Sequence, residues 1–276
     1  MRLEGRRVRT ERLLIGCPVC REPEILELFL RSLRRLELPG VQTAYCFVDD
    51  NHDPRAKALL AAFQAAVPAV TVETPPCQEA GRQYRGHNWD EHAIWKVARY
   101  KDRMIDRALR EGFTHLFLVD SDVLVHPKAV RHLMDTGKAI VSQVFWTRWQ
   151  ADAVEQPQVW LRDFYTQFDQ EPGERLTPAE ERARTYAFFD MLRAPGLYEV
   201  GGLGACTMVR RDALEQGVNF RPVRNLSFWG EDRHFCVRAA ARDIPLFADT
   251  VYPAFHVFRA EQLEGGRDFL RRTEQG

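Results

Sequence analysis

Between Arg12 and Val125, short apolar runs alternate with amphipathic stretches, and this alternation limits the possible folds more than any single motif does. Arg12 to Cys17 reads as a strand, with Pro18 after it. Pro23 stands where a helix would begin, and Ile25, Leu28, Phe29, Leu33 and Leu36 follow at helical spacing. Pro39-Gly40 closes that unit. Val41 to Val48 is the next strand. Asp53-Pro54 opens a helix running to about Ala66, and Val70 to Glu73 is a short strand. Gln78 to Asn88 reads as loop. Glu91 to Arg110 reads as a long helix ended by Gly112, and Phe113 to Val119 as a buried strand. The pattern predicts an α/β fold: a mainly parallel central sheet with helices on both faces.

Ligands of such sheets bind beyond the carboxyl ends of the strands. Here those ends carry Asp49-Asp50-Asn51 and Asp120-Ser121-Asp122. An unpaired buried carboxylate costs several kcal/mol, so such groups are paired, hydrogen-bonded or metal-bound. In an extended segment Asp120 and Asp122 face opposite sides. One can meet a ribose or the backbone while the other meets Mg²⁺ or Mn²⁺. Capping of a strand end is the alternative use of the same residues.

The second half is less regular. Ala139 to Phe145 is a strand, and Trp146 to Leu192 reads as a helical or irregular insertion of the kind that shapes a pocket. Tyr198 to Arg210 is strand-like around Gly201-Gly202-Leu203-Gly204, where glycine implies a bulge or a ligand close to the backbone. Trp229-Gly230-Glu231-Asp232 precedes an amphipathic helix. The acids there either complement the helix dipole or supply a base beside an aromatic wall. Leu246 to Val251 is a last strand leading to His256, a core imidazole or a metal ligand. The six tryptophans fit core filling or stacking on sugar C–H faces. The charged end, Glu261 to Gly276, reads as a loosely ordered tail.

The chain has 39 basic and 39 acidic side chains, a balance that argues against a dedicated nucleic-acid binder. No stretch approaches the roughly 18 consecutive apolar residues of a membrane helix, and the apolar part of the N-terminus is too short for a signal-peptide core. A cytoplasmic location follows as the expectation. The six cysteines then read as reduced core thiols, with Cys17-Pro-Val-Cys20 placed where a redox pair would also sit.

The order of these pieces resembles the nucleotide-sugar glycosyltransferases of the GT-A fold (Rossmann-like), especially the glycosyltransferase family 2 group. That order is Pro-x-x-Arg-x-Pro-Glu after the first strand, Asp-Asp-Asn after the second, a long helix, Asp-Ser-Asp, a glycine-bearing strand, Trp-Gly-Glu-Asp before a helix, and a late histidine. Residues 12–145 and 197–257 carry the likeness. Tyr198 to Arg211 and Phe228 to His256 also look like the fungal Golgi mannosyltransferases of the Anp1 and Mnn9 type.

The resemblance implies one GT-A domain over residues 1–260, with a nucleotide-binding half (10–125) and an acceptor half (126–260) that includes the insertion 146–196. It implies a first nucleotide loop at Pro18, Cys20 and Glu22, Asp49 at the base, and Arg99 and Arg103 near the nucleotide. Asp120 and Ser121 would lie against ribose or metal, and Gly202 and Trp229 close to the donor. Asp122 and His256, with Asp120, would hold Mn²⁺ or Mg²⁺ against the diphosphate. Asp232, or Glu231, would be the base of an inverting transfer. The implied partners are a UDP- or GDP-sugar and a hydroxyl acceptor.

Arg233-His234-Phe235-Cys236 stands where family 2 members often carry Gln/Arg-x-x-Arg-Trp, which speaks against a processive synthase and for transfer of a single sugar. Two alternatives remain at this level. A nucleotidyltransferase would share the sheet and the carboxylate-bound Mg²⁺. A CxxC redox protein would use Cys17 and Cys20.

Overall fold

The computed structural model describes residues 10–75, 91–150, 153–227 and 230–274. The predicted loop at 78–88, Trp89, Cys77 and Trp229 lie outside these residues. The first half runs β1 (Arg12–Val19), α1 (Pro23–Leu33), β2 (Gln42–Asp49), α2 (Pro54–Ala66), β3 (Val70–Glu73), α3 (Glu91–Arg110) and β4 (His115–Leu118). Next come β5 (Val123–Leu124), α4 (Ala129–Asp135), β6 (Ile140–Gln143), and the short strands β7 (Trp146–Thr147), β8 (Gln156–Pro157) and β9 (Val159–Trp160). The chain continues through α5 (Pro178–Arg193), β10 (Leu197–Val200), β11 (Gly202–Leu203), β12 (Thr207–Arg210), α6 (Arg211–Glu215), α7 (Glu231–Ala240), β13 (Leu246–Asp249), β14 (Phe255–His256) and α8 (Leu263–Glu274).

Eight strands form one sheet in the order β10-β13-β6-β12-β4-β1-β2-β3. The ladders β3-β2-β1-β4 and β6-β13 are parallel, while β12 runs antiparallel between β4 and β6, and β10 antiparallel on the edge. The sheet is therefore mostly parallel, with helices on both faces. Alternate residues of each strand feed the two cores. Leu13, Ile15, Phe47 and Phe117 meet Leu26 and Phe29 of α1 and Phe63 of α2. Leu14, Val48, Leu116 and Leu118 meet Ala98 and Met104 of α3 and Phe235 of α7. Full burial of side chains such as Phe47 stabilises by roughly 1.5–3 kcal/mol each. Gly16 lets α3 approach β1, since a Cβ there would stand 2.7 Å from the Met104 sulfur.

Local signals set the helix starts. The Asp53 carboxylate accepts from the Arg55 backbone N–H at 2.7 Å to cap α2. Thr177 and Glu180 form a reciprocal capping box for α5, so the insertion contains a full helix as well as irregular chain. The glycine-bearing stretch 198–210 is three strands rather than one, because β11 leaves the main sheet to pair with β9.

The predicted loose tail is also corrected. Residues 263–274 form α8, whose Gly266, Phe269 and Leu270 are buried against α1 and the Phe255 ring. An apolar stripe lay beneath the charges. No helix among the described residues is long and apolar enough to cross a membrane. If α8 is part of the core, Phe269→Ala will lower stability by about 3 kcal/mol or more in urea unfolding. A loss below about 0.5 kcal/mol would mean a loosely attached tail.

Candidate active site

Because β1, β2 and β4 are parallel, Arg21, Asp49-Asp50-Asn51 and Asp120-Ser121-Asp122 emerge at one edge of the sheet. A polar latch ties the first two together. Asp49 Oδ1 accepts from the Asn51 backbone N–H and Nδ2, and Asn51 Oδ1 accepts from the Arg21 backbone N–H at 2.9 Å. Lys96 of α3 lies 2.5 Å from Asp50 Oδ2. Asp49, expected at the base, is thus buried and engaged in holding its own turn.

Asp122 is brought to His256 by the two-residue ladder of β5 with β14, in which Val123 pairs with His256 and the Val257 N–H donates to the Asp122 carbonyl. The imidazole Nε2 lies 3.3 Å from Asp122 Oδ2, and Nδ1 lies 2.8 Å from the Thr147 hydroxyl. Arg21 donates to the same Oδ2 through Nε at 2.8 Å and through Nη2. Asp122 is almost fully buried, so this guanidinium is its counter-charge. Ser121 is buried in the connecting turn.

Asp120 turns the other way, toward a group that sequence reasoning missed. Lys101 of α3 places its ammonium 2.8 Å from Glu231 Oε1, 3.4 Å from Asp232 Oδ1 and 3.8 Å from Asp120 Oδ1. Burial pulls the ammonium pKa down, but Asp120, Asp232 and Glu231 outweigh it and hold the group well above its ordinary value. Burial raises the Asp120 carboxyl above its usual range, against Lys101. Asp232 is pushed up to about 7, by burial first and by the Glu231 and Asp120 charges, with Lys101 opposing. Lys101 did leave a trace in the sequence. It interrupts the apolar stripe of Ile94, Ala98, Ile105 and Ala108, a charge on the buried face of a helix.

The Asp232 carboxylate divides its oxygens. Oδ1 faces Lys101, while Oδ2 lies against Gly204, 3.3 Å from where a Cβ would stand. Gly204 and Asp232 line a cavity of about 430 Å³ together with Arg21, Asp120, Asp122 and His256. Its lining also includes the aromatic rings of Phe145, Trp149, Trp160, Tyr165 and Phe258.

Several expected residues lie elsewhere. Arg99 is exposed, Arg103 is spent on Glu73 at 2.5 Å, and neither lines the cavity; the opposite face of α3 serves it instead. Gly202 leaves room for an indole. It is buried against Trp160, and a Cβ there would lie 1.9 Å from the indole. Pro18 belongs to β1, and exposed Glu22 uses its backbone carbonyl to start α1. The Cys17 thiol is raised well above its ordinary value by burial, and Cys20 to about 11 for the same reason first. Both stay protonated at neutral pH, which removes the thiolate a redox pair needs. Trp229 lies outside the described residues.

Lys101 can be tested by stability. Lys101→Met will cost about 3–5 kcal/mol in chemical denaturation at neutral pH, because it leaves buried carboxylates uncompensated. Adding Glu231→Gln will restore part of that loss. A single variant as stable as the parent would show that the ammonium balances nothing.

No protein-family model matches the chain, and no curated protein matches it in sequence. Among solved structures it is similar to the crystal structure of S. aureus TarS 1-349, a glycosyltransferase, with a TM-score of 0.52 and 12% identity. The match covers 95% of this chain and 64% of that one, so the chain spans less than two thirds of its neighbour's length. At this identity the likeness is one of fold: the two share the α/β architecture built on a mostly parallel sheet.

Proposed function

We propose that the chain transfers a single sugar from a nucleoside-diphosphate sugar to an acceptor hydroxyl, with Asp232 as the general base. The observation that carries this reading is the environment of Asp232 on the cavity wall: one oxygen 3.4 Å from Lys101, the other against Gly204, and a carboxyl pKa raised to about 7. A base is most effective when its pKa lies near the working pH. The fold shared with a glycosyltransferase supports the same reading. The finer likeness to fungal Golgi mannosyltransferases rests on two sequence segments alone.

In this scheme Asp232 Oδ2 accepts the proton of the attacking hydroxyl, and Lys101 keeps the carboxylate oriented while it does so. Arg21, which lines the cavity, presents positive charge to the departing diphosphate. Among the described residues no three His, Cys, Asp or Glu side chains come together to hold an ion by themselves. Asp122 and His256 do offer a carboxylate and an imidazole side by side on the cavity wall. That pair fits a divalent cation drawing its other ligands from a diphosphate, provided Arg21 gives up its hold on Oδ2. Mn²⁺ or Mg²⁺ bound there would stabilise charge on the leaving diphosphate.

Two measurements check this. A thermal-shift assay with Mn²⁺ and each of UDP and GDP will show stabilisation by one metal–nucleotide pair beyond either component alone. Arg21→Ala will tighten Mn²⁺ binding in calorimetry by removing the competing cation. No shift with any pair would count against the donor assignment. Activity has its own signature, since the working form of Asp232 is deprotonated. The rate will rise with pH through about 7 and level off above it. Asp232→Asn will lower it about 10²- to 10⁴-fold. A rate that falls across that pH window would remove Asp232 as base.

A further inference from the structure

Phe164 and Tyr165 are consecutive non-glycine residues with left-handed backbone, at φ 63° and 57°. They sit in the tight turn closed by the bridge between Arg162 and Thr166, just after β9. Such a conformation persists only where the surroundings fix it, and it gathers at functional positions. Here the fixing group comes from the helix that carries Asp232. Arg233, 2% exposed, donates to both oxygens of Asp163 through Nε at 2.5 Å and Nη2 at 2.6 Å. Its guanidinium also lies 4.4 Å from the centre of the Phe164 ring and donates to the Ser227 carbonyl at 2.7 Å.

The clamp aims Tyr165 into the cavity beside Asp232. Its ring is backed by Trp160, with centroids 4.4 Å apart. Its hydroxyl uses the space left by Gly230: a Cβ there would stand 2.8 Å from the phenol oxygen. Burial, then the Asp232 and Glu231 charges, keeps that hydroxyl protonated, a donor rather than a base. Two of the neighbouring amides are occupied at home. Gln158 Nε2 donates to the Gln143 carbonyl and its Oε1 accepts from the Phe145 N–H, while Gln167 Nε2 donates to the Pro157 and Val159 carbonyls. This wall therefore offers ring faces first, and ring faces suit the C–H face of a sugar.

We propose that Tyr165 contacts the acceptor, that the acceptor is a pyranoside lying against the Tyr165 ring with its reacting hydroxyl toward Asp232, and that the Asp163–Arg233 clamp keeps base and platform in register. The inference rests on the reading of Asp232 as the base of sugar transfer.

The test measures nucleoside diphosphate release from UDP-glucose, UDP-N-acetylglucosamine and GDP-mannose with MnCl₂, in water alone and with p-nitrophenyl glucoside, galactoside and mannoside. Expected is release by the parent chain that one of these pyranosides stimulates. Tyr165→Ala will raise the KM for that pyranoside tenfold or more and shift the donor's partition toward water by a similar factor. Tyr165→Phe, which keeps the ring, will raise it less, and Asp163→Asn will raise it as the clamp loosens. An unchanged acceptor KM in Tyr165→Ala overturns the inference and leaves sugar transfer standing, as does release to water that no pyranoside stimulates. Equal losses in the water and acceptor reactions also overturn it, because Tyr165 would then serve donor or fold. No release from any donor, with or without a pyranoside, overturns sugar transfer and the inference together.

Discussion

The arrangement at the sheet edge depends on one buried ammonium. Asp120 comes from the end of β4 and Glu231 and Asp232 from the start of α7, and neither element could bring its carboxylates into an apolar interior without an opposing charge. Lys101 supplies that charge from α3, which packs on the same face of the sheet as α7. Among the described residues Lys101 is the cation that these three carboxylates share within 4 Å. Burial first, and then the neighbouring carboxylate charges, raise the carboxyl groups of Asp120 and Asp232 against the pull of Lys101, with Asp232 reaching the neutral range. Structure and chemistry thus share one cause: the contact that lets α7 dock also tunes the group its first turn presents.

A second arrangement follows from topology. The sheet is parallel from β3 through β4, yet β12 enters antiparallel between β4 and β6 and leads the chain away from Gly204 on the cavity wall. The two-residue pairing of β5 with β14 then sets the late histidine beside the second aspartate of Asp-Ser-Asp. These pieces are far apart in sequence and small in size. Their placement depends on the large ladders around β1 being right first.

Much of the frame was legible. The strands from β1 to β4 and the bounds of α3 followed from apolar period, proline and glycine, because each lies in a long regular segment. Asp120, Asp122, Asp232 and His256, singled out by their order along the chain, line one cavity. What the sequence hid was direction around a helix and pairing between short segments. Arg99 and Arg103 looked suited to a nucleotide but lie off the cavity, while Lys101 on the buried stripe reaches its carboxylates. Gly202 looked like room for a ligand and is room for Trp160. Tyr165 had no mark at all, since a left-handed backbone at a non-glycine residue is imposed by distant contacts. The final helix was hidden by its own charges, with Gly266, Phe269 and Leu270 buried and Leu263 packed at the core's margin.

The pairing of Arg21 with Asp122 has a practical consequence. Folding does not have to wait for an ion to neutralise this carboxylate, because the chain brings its own counter-charge to it. Preparation in a chelating buffer should therefore leave the architecture intact, because the buried carboxylate already has its partner in the chain.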